Sequence, residues 1–403
     1  MVKPERRTKG DIVAAAAIVV VVAAVAALIW WTSDARATIS RPAAVPATNP
    51  SPAREVPESL RQLWTAPSPG TRVPVAVGGT VVTANGRQVE GRDPTTGESL
   101  WSYARDTDLC GVSWVYHYAV AVYRDGRGCG QVSTIDGSTG RRGPARSSYA
   151  DDHVRLSSDG STVLSAGNTR LEQWRSDMVR MLSYGETDAR VKPVNRGLNS
   201  GCFLESAAAG PSGVSVLESC GDQDLKLLLL RAGKEEDEPE QHSVAEPGVR
   251  LGSGARVLVV SQTYTAVYLP SPQPRVDVVD QTGAVVSTKS LTKPPSSAAV
   301  VSQSGSVVTW WTGDQVIVFD AANLAERYTI ASGETVNVLG PGVMMASQLL
   351  VPITGGIGVY DPVNGEYLRT IAVDRPPSDA PVIPIVSGSK VIEQRGDTVA
   401  VLG

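Results

Sequence analysis

The chain has 403 residues, a formal net charge of −4 and an isoelectric point near 5.6. That balance gives no support for nucleic-acid binding. Arg outnumbers Lys, Ala and Val are abundant, and Phe203 and Phe319 are the only phenylalanines.

The first element is apolar. Ile12–Trp31 contains no charged or strongly polar residue; as a helix it spans about 30 Å, the thickness of a bilayer's hydrocarbon core. Lys3, Arg6, Arg7 and Lys9 precede it, which favours residues 1–11 in the cytoplasm and Trp30-Trp31 at the outer interface. Ala35-Arg36-Ala37 has the form of a signal-peptidase site. The apolar run is long for a cleaved signal and ends in two Trp, so residues 12–32 read as a retained single-pass signal anchor. Residues 33–58, with Pro42, Pro46, Pro50, Pro52 and Pro57, read as a semi-extended tether holding the remainder away from the membrane. Residues 59–403 form the folded domain.

Within that domain one turn signal recurs. It reads Asp93-Pro94-Thr95-Thr96-Gly97, Asp136-Gly137-Ser138-Thr139-Gly140, Asp280-Gln281-Thr282-Gly283, Asp320-Ala321-Ala322-Asn323 and Asp361-Pro362-Val363-Asn364-Gly365. Neighbouring signals are 43, 40 and 41 residues apart, the period of a four-stranded propeller blade. The Asp accepts backbone N–H groups and the Gly supplies positive φ. Each signal lies between strand-like runs, as in Gln88–Arg92 before Asp93 and Ser99–Ala104 after it, so it joins the third and fourth strands of a blade. A β-sandwich also alternates short strands, but it has no reason to repeat the same turn chemistry every fourth strand.

Between Asp136 and Asp280 two blades have lost the signal; Leu171–Arg175 and Leu225–Arg231 are their third strands. The extra length sits in Tyr184–Gly201 and in the acidic run Glu235–Glu240. At the C-terminus Val382–Val386, Lys390–Gln394 and Thr398–Leu402 supply only three strands. Gln62-Leu63-Trp64-Thr65 matches Ser99-Leu100-Trp101-Ser102, so Leu60–Thr65 closes the last blade. The count is eight blades, with seven as the alternative.

With Asp93, Thr96, Gly97 and Trp101 in place, the repeat resembles the pyrroloquinoline-quinone-type propeller repeat: Asp, two residues, Thr-Gly, three residues, Trp. Asp136, Thr139 and Gly140 fit in part, with Pro144 at the Trp position. Asp361 and Gly365 fit with Arg369 there, and the turn from Asp280 to Gly283 is one residue short. The architecture is similar to the eight-bladed, non-catalytic scaffold of the outer-membrane assembly machinery. It also resembles single-pass, alanine- and valine-rich propeller proteins of actinobacterial, including mycobacterial, envelopes. The resemblance implies an envelope location and does not require a bound quinone.

The four cysteines, Cys110, Cys129, Cys202 and Cys220, lie beyond the anchor. Four cysteines allow three pairings. Cys110 begins the innermost strand of blade 2, and Cys129 is placed in the hairpin after that blade's second strand. Cys202 and Cys220 are placed equivalently in blade 4. Bridges Cys110–Cys129 and Cys202–Cys220 follow, each contributing about 3 kcal/mol in the chain-entropy model. No CxxC pair exists and His117, His153 and His242 are scattered, which argues against zinc. Disulfides imply an oxidising, extracytoplasmic setting.

The sequence offers no catalytic, cofactor or metal constellation. Gly355-Gly356-Ile357-Gly358 lies between two strands with no helix after it, so it reads as a hairpin rather than a phosphate loop. The acidic run lacks regular calcium-ligand spacing. Quinoprotein dehydrogenases of this fold carry adjacent cysteines and a calcium site, and neither is recognisable here. The expectation is a membrane-anchored, non-catalytic binding or assembly scaffold without cofactor. Its partner is an envelope protein, or else a wall polysaccharide or small ligand; a quinone-dependent dehydrogenase is the enzymatic alternative. The disulfide-bearing face, with Tyr184–Gly201 and Pro270–Pro274, is the expected binding face.

Overall fold

The structure, a computed structural model, describes residues 8–186, 201–221, 224–235 and 238–403. Among these residues eight antiparallel sheets follow one another round a closed ring, forming an eight-bladed β-propeller preceded by one apolar helix. Six sheets take all their strands consecutively, and blade 1 takes its inner four so. There Val75–Val77, Thr80–Asn85, Gln88–Arg92 and Ser99–Ala104 pair in order. Strand 1 of each blade lies innermost, so those of neighbouring blades touch near the axis.

Burial explains the residue pattern. Strand 2 of blade 6, Val307–Trp311, and strand 2 of blade 5, Thr265–Leu269, are buried along their whole length because both sheet faces pack against neighbouring blades. Such strands read as continuous apolar runs. Strand 4 of blade 5, Val285–Ser290, lies on the rim and is largely exposed.

The eighth blade is composite. Gln62–Pro67 pairs antiparallel with Thr398–Leu402, placing Trp64 opposite Val401 and Ala66 opposite Val399. This completes the sheet of Val382–Ser387 and Lys390–Arg395, so the ring leaves no open end.

The helix runs Lys9–Trp31, three residues longer at its start than the apolar run. Thr8 caps it: its hydroxyl accepts from the Asp11 N–H at 3.2 Å, and the Asp11 carboxylate accepts from the Thr8 N–H at 2.7 Å. The helix is long and apolar enough to cross a bilayer, and its side chains are exposed.

Residues 39–57 are not a free tether. Ile39–Arg41 adds a fifth strand to the outer edge of blade 1, pairing with Ser102–Ala104. Ala43 and Ala47 then donate backbone N–H groups to Thr139 and Ser138 in the turn of blade 2, both at 2.9 Å. The segment passes the inner turn of blade 1 at Gly79 and that of blade 8 at Gly388. Val56 ends buried beside Met345, Ile371 and Leu402. Pro-rich composition signals an extended chain but not what that chain lies on, so this strap was hidden in the sequence.

The two disulfides join the pairs expected, with two differences in placement. Cys110–Cys129 ties strand 1 of blade 2 to its third strand, with Cα atoms 6.0 Å apart. Cys202–Cys220 joins residues directly opposite on strands 1 and 2 of blade 4, with Cα atoms 4.2 Å apart. Strand 2 of blade 4 extends through Cys220, so that cysteine lies in a strand rather than a hairpin. Cys129 likewise lies just inside strand 3.

Candidate functional site

The propeller presents two faces. One carries the turns within strand pairs 1–2 and 3–4; the other carries the 2–3 hairpins and the loops between blades. All the recurrent turn residues lie on the first face, and their geometry is that of a latch between blades. Asp93 accepts from the N–H groups of Thr95 and Thr96 at 2.7 and 2.8 Å. Asp136 accepts from the N–H and hydroxyl groups of Ser138 and Thr139. Burial opposes ionisation of Asp136, but these hydrogen bonds outweigh it and hold the carboxyl below its usual value. Asp280, Asp320 and Asp361 accept from their own turns in the same way.

The neighbouring blade reads each turn. Trp101, on strand 4 of blade 1, is buried and lies over Gly140; a Cβ there would stand 2.3 Å from the Trp101 Cβ, and Gly140 has φ +69°. Its indole N–H donates to the Gly137 carbonyl at 2.7 Å. Trp64 of blade 8 covers Gly97 and donates to the Pro94 carbonyl at 3.3 Å. Tyr328 packs on Gly365 and donates to the Asp361 carbonyl at 3.2 Å. Burial pushes that phenol up to about 12. Val244 and His242 of blade 4 cover Gly283. Thus Trp101, Gly140 and the other motif residues form the contacts that hold neighbouring blades together.

The opposite face carries both disulfides, the Pro270–Pro274 hairpin and a half-exposed Phe203. Residues 187–200 of the long loop, with Leu198, lie outside the described residues. At the seam between blades 7 and 8 this face opens into a cavity of about 820 Å³, bordered by Thr65, Thr354, Asp374, Ser378, Asp379 and Arg395. Beneath it Glu393 is fully buried between two guanidiniums. Arg375 donates to it at 2.7 and 3.0 Å and to the Gly356 carbonyl at 2.8 Å. Arg395 donates to it at 2.8 Å and to Gln62 on the closing strand at 2.9 Å. The sequence reading missed this network. Its one signal was the same-face spacing of Glu393 and Arg395 on a strand.

Two further buried acids stand out. Glu172 accepts from Arg170 at 2.5 Å, Trp174 at 2.8 Å and Arg146 at 3.1 Å. Burial raises its carboxyl, but Arg170 and Arg146 outweigh that and leave it below its usual value. Glu246 goes the other way, to about 7, because burial and then the Asp277 charge outweigh Arg275.

Among the described residues one group has metal-ligand proximity, Cys202, Glu218 and Cys220, and both of its sulfurs are bonded to each other. Gly355-Gly356 forms the hairpin between Gln348–Ile353 and Gly356–Tyr360. His117 stacks on Tyr118 at 4.0 Å and lies 3.7 Å from Asp136. The acidic run sits between strands 3 and 4 of blade 4, with Glu236 and Asp237 outside the described residues.

No protein-family model and no curated protein sequence matches the chain. Solved structures do. BamB from Moraxella catarrhalis is similar with a TM-score of 0.51 and 15% identity, covering 85% of this chain and 99% of that one. Sqt1 from Saccharomyces cerevisiae is similar with a TM-score of 0.52 and 10% identity, covering 86% and 99%. At these identities the likeness shows the fold alone, a β-propeller.

Proposed function

We propose that this chain is a membrane-anchored, extracytoplasmic propeller acting as a non-catalytic binding or assembly scaffold in the cell envelope, with a protein partner on the disulfide-bearing face. The observation that carries this reading is the seam cavity. It is large enough to seat a protruding side chain or loop, and its two guanidiniums are committed to Glu393 and to backbone or Gln62 oxygens. Such a site offers shape and a polar rim. The basic residues before the apolar helix and the two disulfides support the outward orientation. The resemblance to actinobacterial envelope propellers points the same way.

The test is crosslinking and co-purification of the full-length chain from its native membrane, with identification of what is bound. A discrete protein partner is the expected result. Wall fragments would favour a glycan-binding module instead, and a coloured, redox-active prosthetic group would favour a quinoprotein dehydrogenase.

A further inference from the structure

We propose that the disulfide-bearing end of blades 1 and 2 is a lipid-contact surface, seated on anionic headgroups beside the anchoring helix. This rests on the anchor reading and adds to it a height and an orientation.

The chain length sets the height. The helix ends at Trp31, and Ile39 is already paired with Ala104 on blade 1. Only residues 32–38 intervene. Fully extended they reach about 25 Å. With Asp34–Ala37 helical, the rise of about 1.5 Å per helical residue shortens that to about 16 Å. The Pro-rich residues that follow add no further reach, because they are bound along the ring.

Strand register sets the orientation. Ile39 pairs with the last residue of strand 4 of blade 1, and Arg41 with Ser102. The strap therefore enters at the end where strand 4 runs into residues 105–108 and Cys110, and travels toward the opposite face. The end nearest the membrane is the disulfide-bearing one.

Charge agrees. Arg36, just past the helix, places its guanidinium 3.6 Å from the Trp31 ring centroid, where the aromatic belt meets the headgroups. Arg72, Arg155 and Arg256 lie on the disulfide-bearing face, just before or at the start of inner strands, and none forms an ion pair with a carboxylate among the described residues. Arg155 is held below its usual value by burial and then by Arg72, so two cations stand close together there. Arg87 and Arg127 are exposed on the adjoining hairpins, and Arg87 meets Asp108. The opposite face carries the exposed acids Glu235, Glu238 and Glu240. The disulfide-bearing end also carries the exposed acids Asp106, Asp108 and Asp152, so it is the local pair Arg72 and Arg155, rather than the net charge of the end, that suits an anionic leaflet.

The full-length chain in lipid nanodiscs, with and without phosphatidylglycerol, tests this. A donor fluorophore is placed by Arg87→Cys or by Glu238→Cys, with acceptors on the headgroups. The expected result is several-fold greater energy transfer from position 87 than from 238. In anionic discs Arg72→Glu with Arg155→Glu should lower the position-87 signal, with no change in neutral discs. Equal or reversed transfer in a chain retained by the disc overturns the lipid surface and leaves the anchor standing. A chain released from the disc defeats the anchor reading itself.

Discussion

The guanidinium of Arg369 donates to the Val56 carbonyl at 2.9 Å and to the Pro57 carbonyl at 3.0 Å. Arg369 occupies, after Asp361, the position that Trp101 occupies after Asp93. In blades 1 and 6 the residue at that position, Trp101 or Tyr328, latches onto the 3–4 turn of the next blade. The composite blade has no such turn, and the N-terminal strap stands in its place. Closure therefore uses three fastenings: the Gln62–Pro67 strand, Trp64 on blade 1, and Arg369 on the strap.

Removing that closure should be costly. A chain starting at Thr71 lacks the closing strand, buried Val56 and Leu60, and Trp64. Burying a Val or Leu side chain contributes roughly 1.5–3 kcal/mol, so the loss is several kcal/mol, and it also exposes the edge of Thr398–Leu402. Chemical denaturation and light scattering should show a marked loss of stability and self-association. Unchanged stability in a monomer would contradict closure.

The inter-blade latch gives a graded series. Trp101→Phe keeps one aromatic ring but loses the pyrrole ring and its hydrogen bond to Gly137, costing about 1–3 kcal/mol. Trp101→Ala should cost about 3–5 kcal/mol. Gly140→Ala adds a Cβ against Trp101 at positive φ and should cost at least about 2 kcal/mol from clash and backbone strain. Urea midpoints lowered least by Trp101→Phe and clearly more by Trp101→Ala and Gly140→Ala support the latch. Equal midpoints for Trp101→Phe and Trp101→Ala would mean the indole face contributes nothing.

Leu324 tests a competition. It takes the place of the turn glycine in blade 6, donating its N–H to the Asp320 carbonyl at 2.9 Å with φ +56°. It is also fully buried beside Trp310 and Phe319. Leu324→Gly relieves about 1–2 kcal/mol of left-handed strain but forfeits about 2–5 kcal/mol of packing. The net effect should be destabilising, and a raised melting temperature would show that strain dominates.

Glu246 makes stability depend on pH. Its folded value of about 7 lies above the 4.5 of the free side chain. A raised carboxyl favours the protonated folded state. Its contribution is therefore present at low pH and is lost as pH rises from about 4.5 toward 7. Glu246→Gln should match the parent near pH 5 and melt higher near pH 8. A difference of the opposite sign would mean that Arg275, rather than burial and Asp277, controls the site.

Much of the fold was legible because the period is carried by local chemistry. Asp93, Asp136 and Asp361 each organise their own turn, and Trp64 repeats Trp101 in both sequence and contact. What stayed hidden depends on distant partners. The strap binds through backbone N–H groups of Ala43 and Ala47, which any residue but proline supplies. Leu324 fills a glycine's conformation because burial compensates the strain. The Arg375–Glu393–Arg395 network forms only when loop 373–381 folds back on blade 8. The motif residues thus marked the scaffold, while the candidate binding cavity arose at the seam, where no motif points.

If the disulfide-bearing end faces the bilayer, a partner in the seam cavity approaches along the membrane surface. Site-specific photo-crosslinking in intact cells tests this most directly, with the probe at Ser378 or Thr398 on the cavity and at Glu235 on the acidic tip. The account predicts one discrete protein adduct from the cavity positions and none from residue 235. Adducts confined to residue 235, wall glycan in place of protein, or quinone-dependent oxidation of alcohols or sugars by the full-length chain would contradict it.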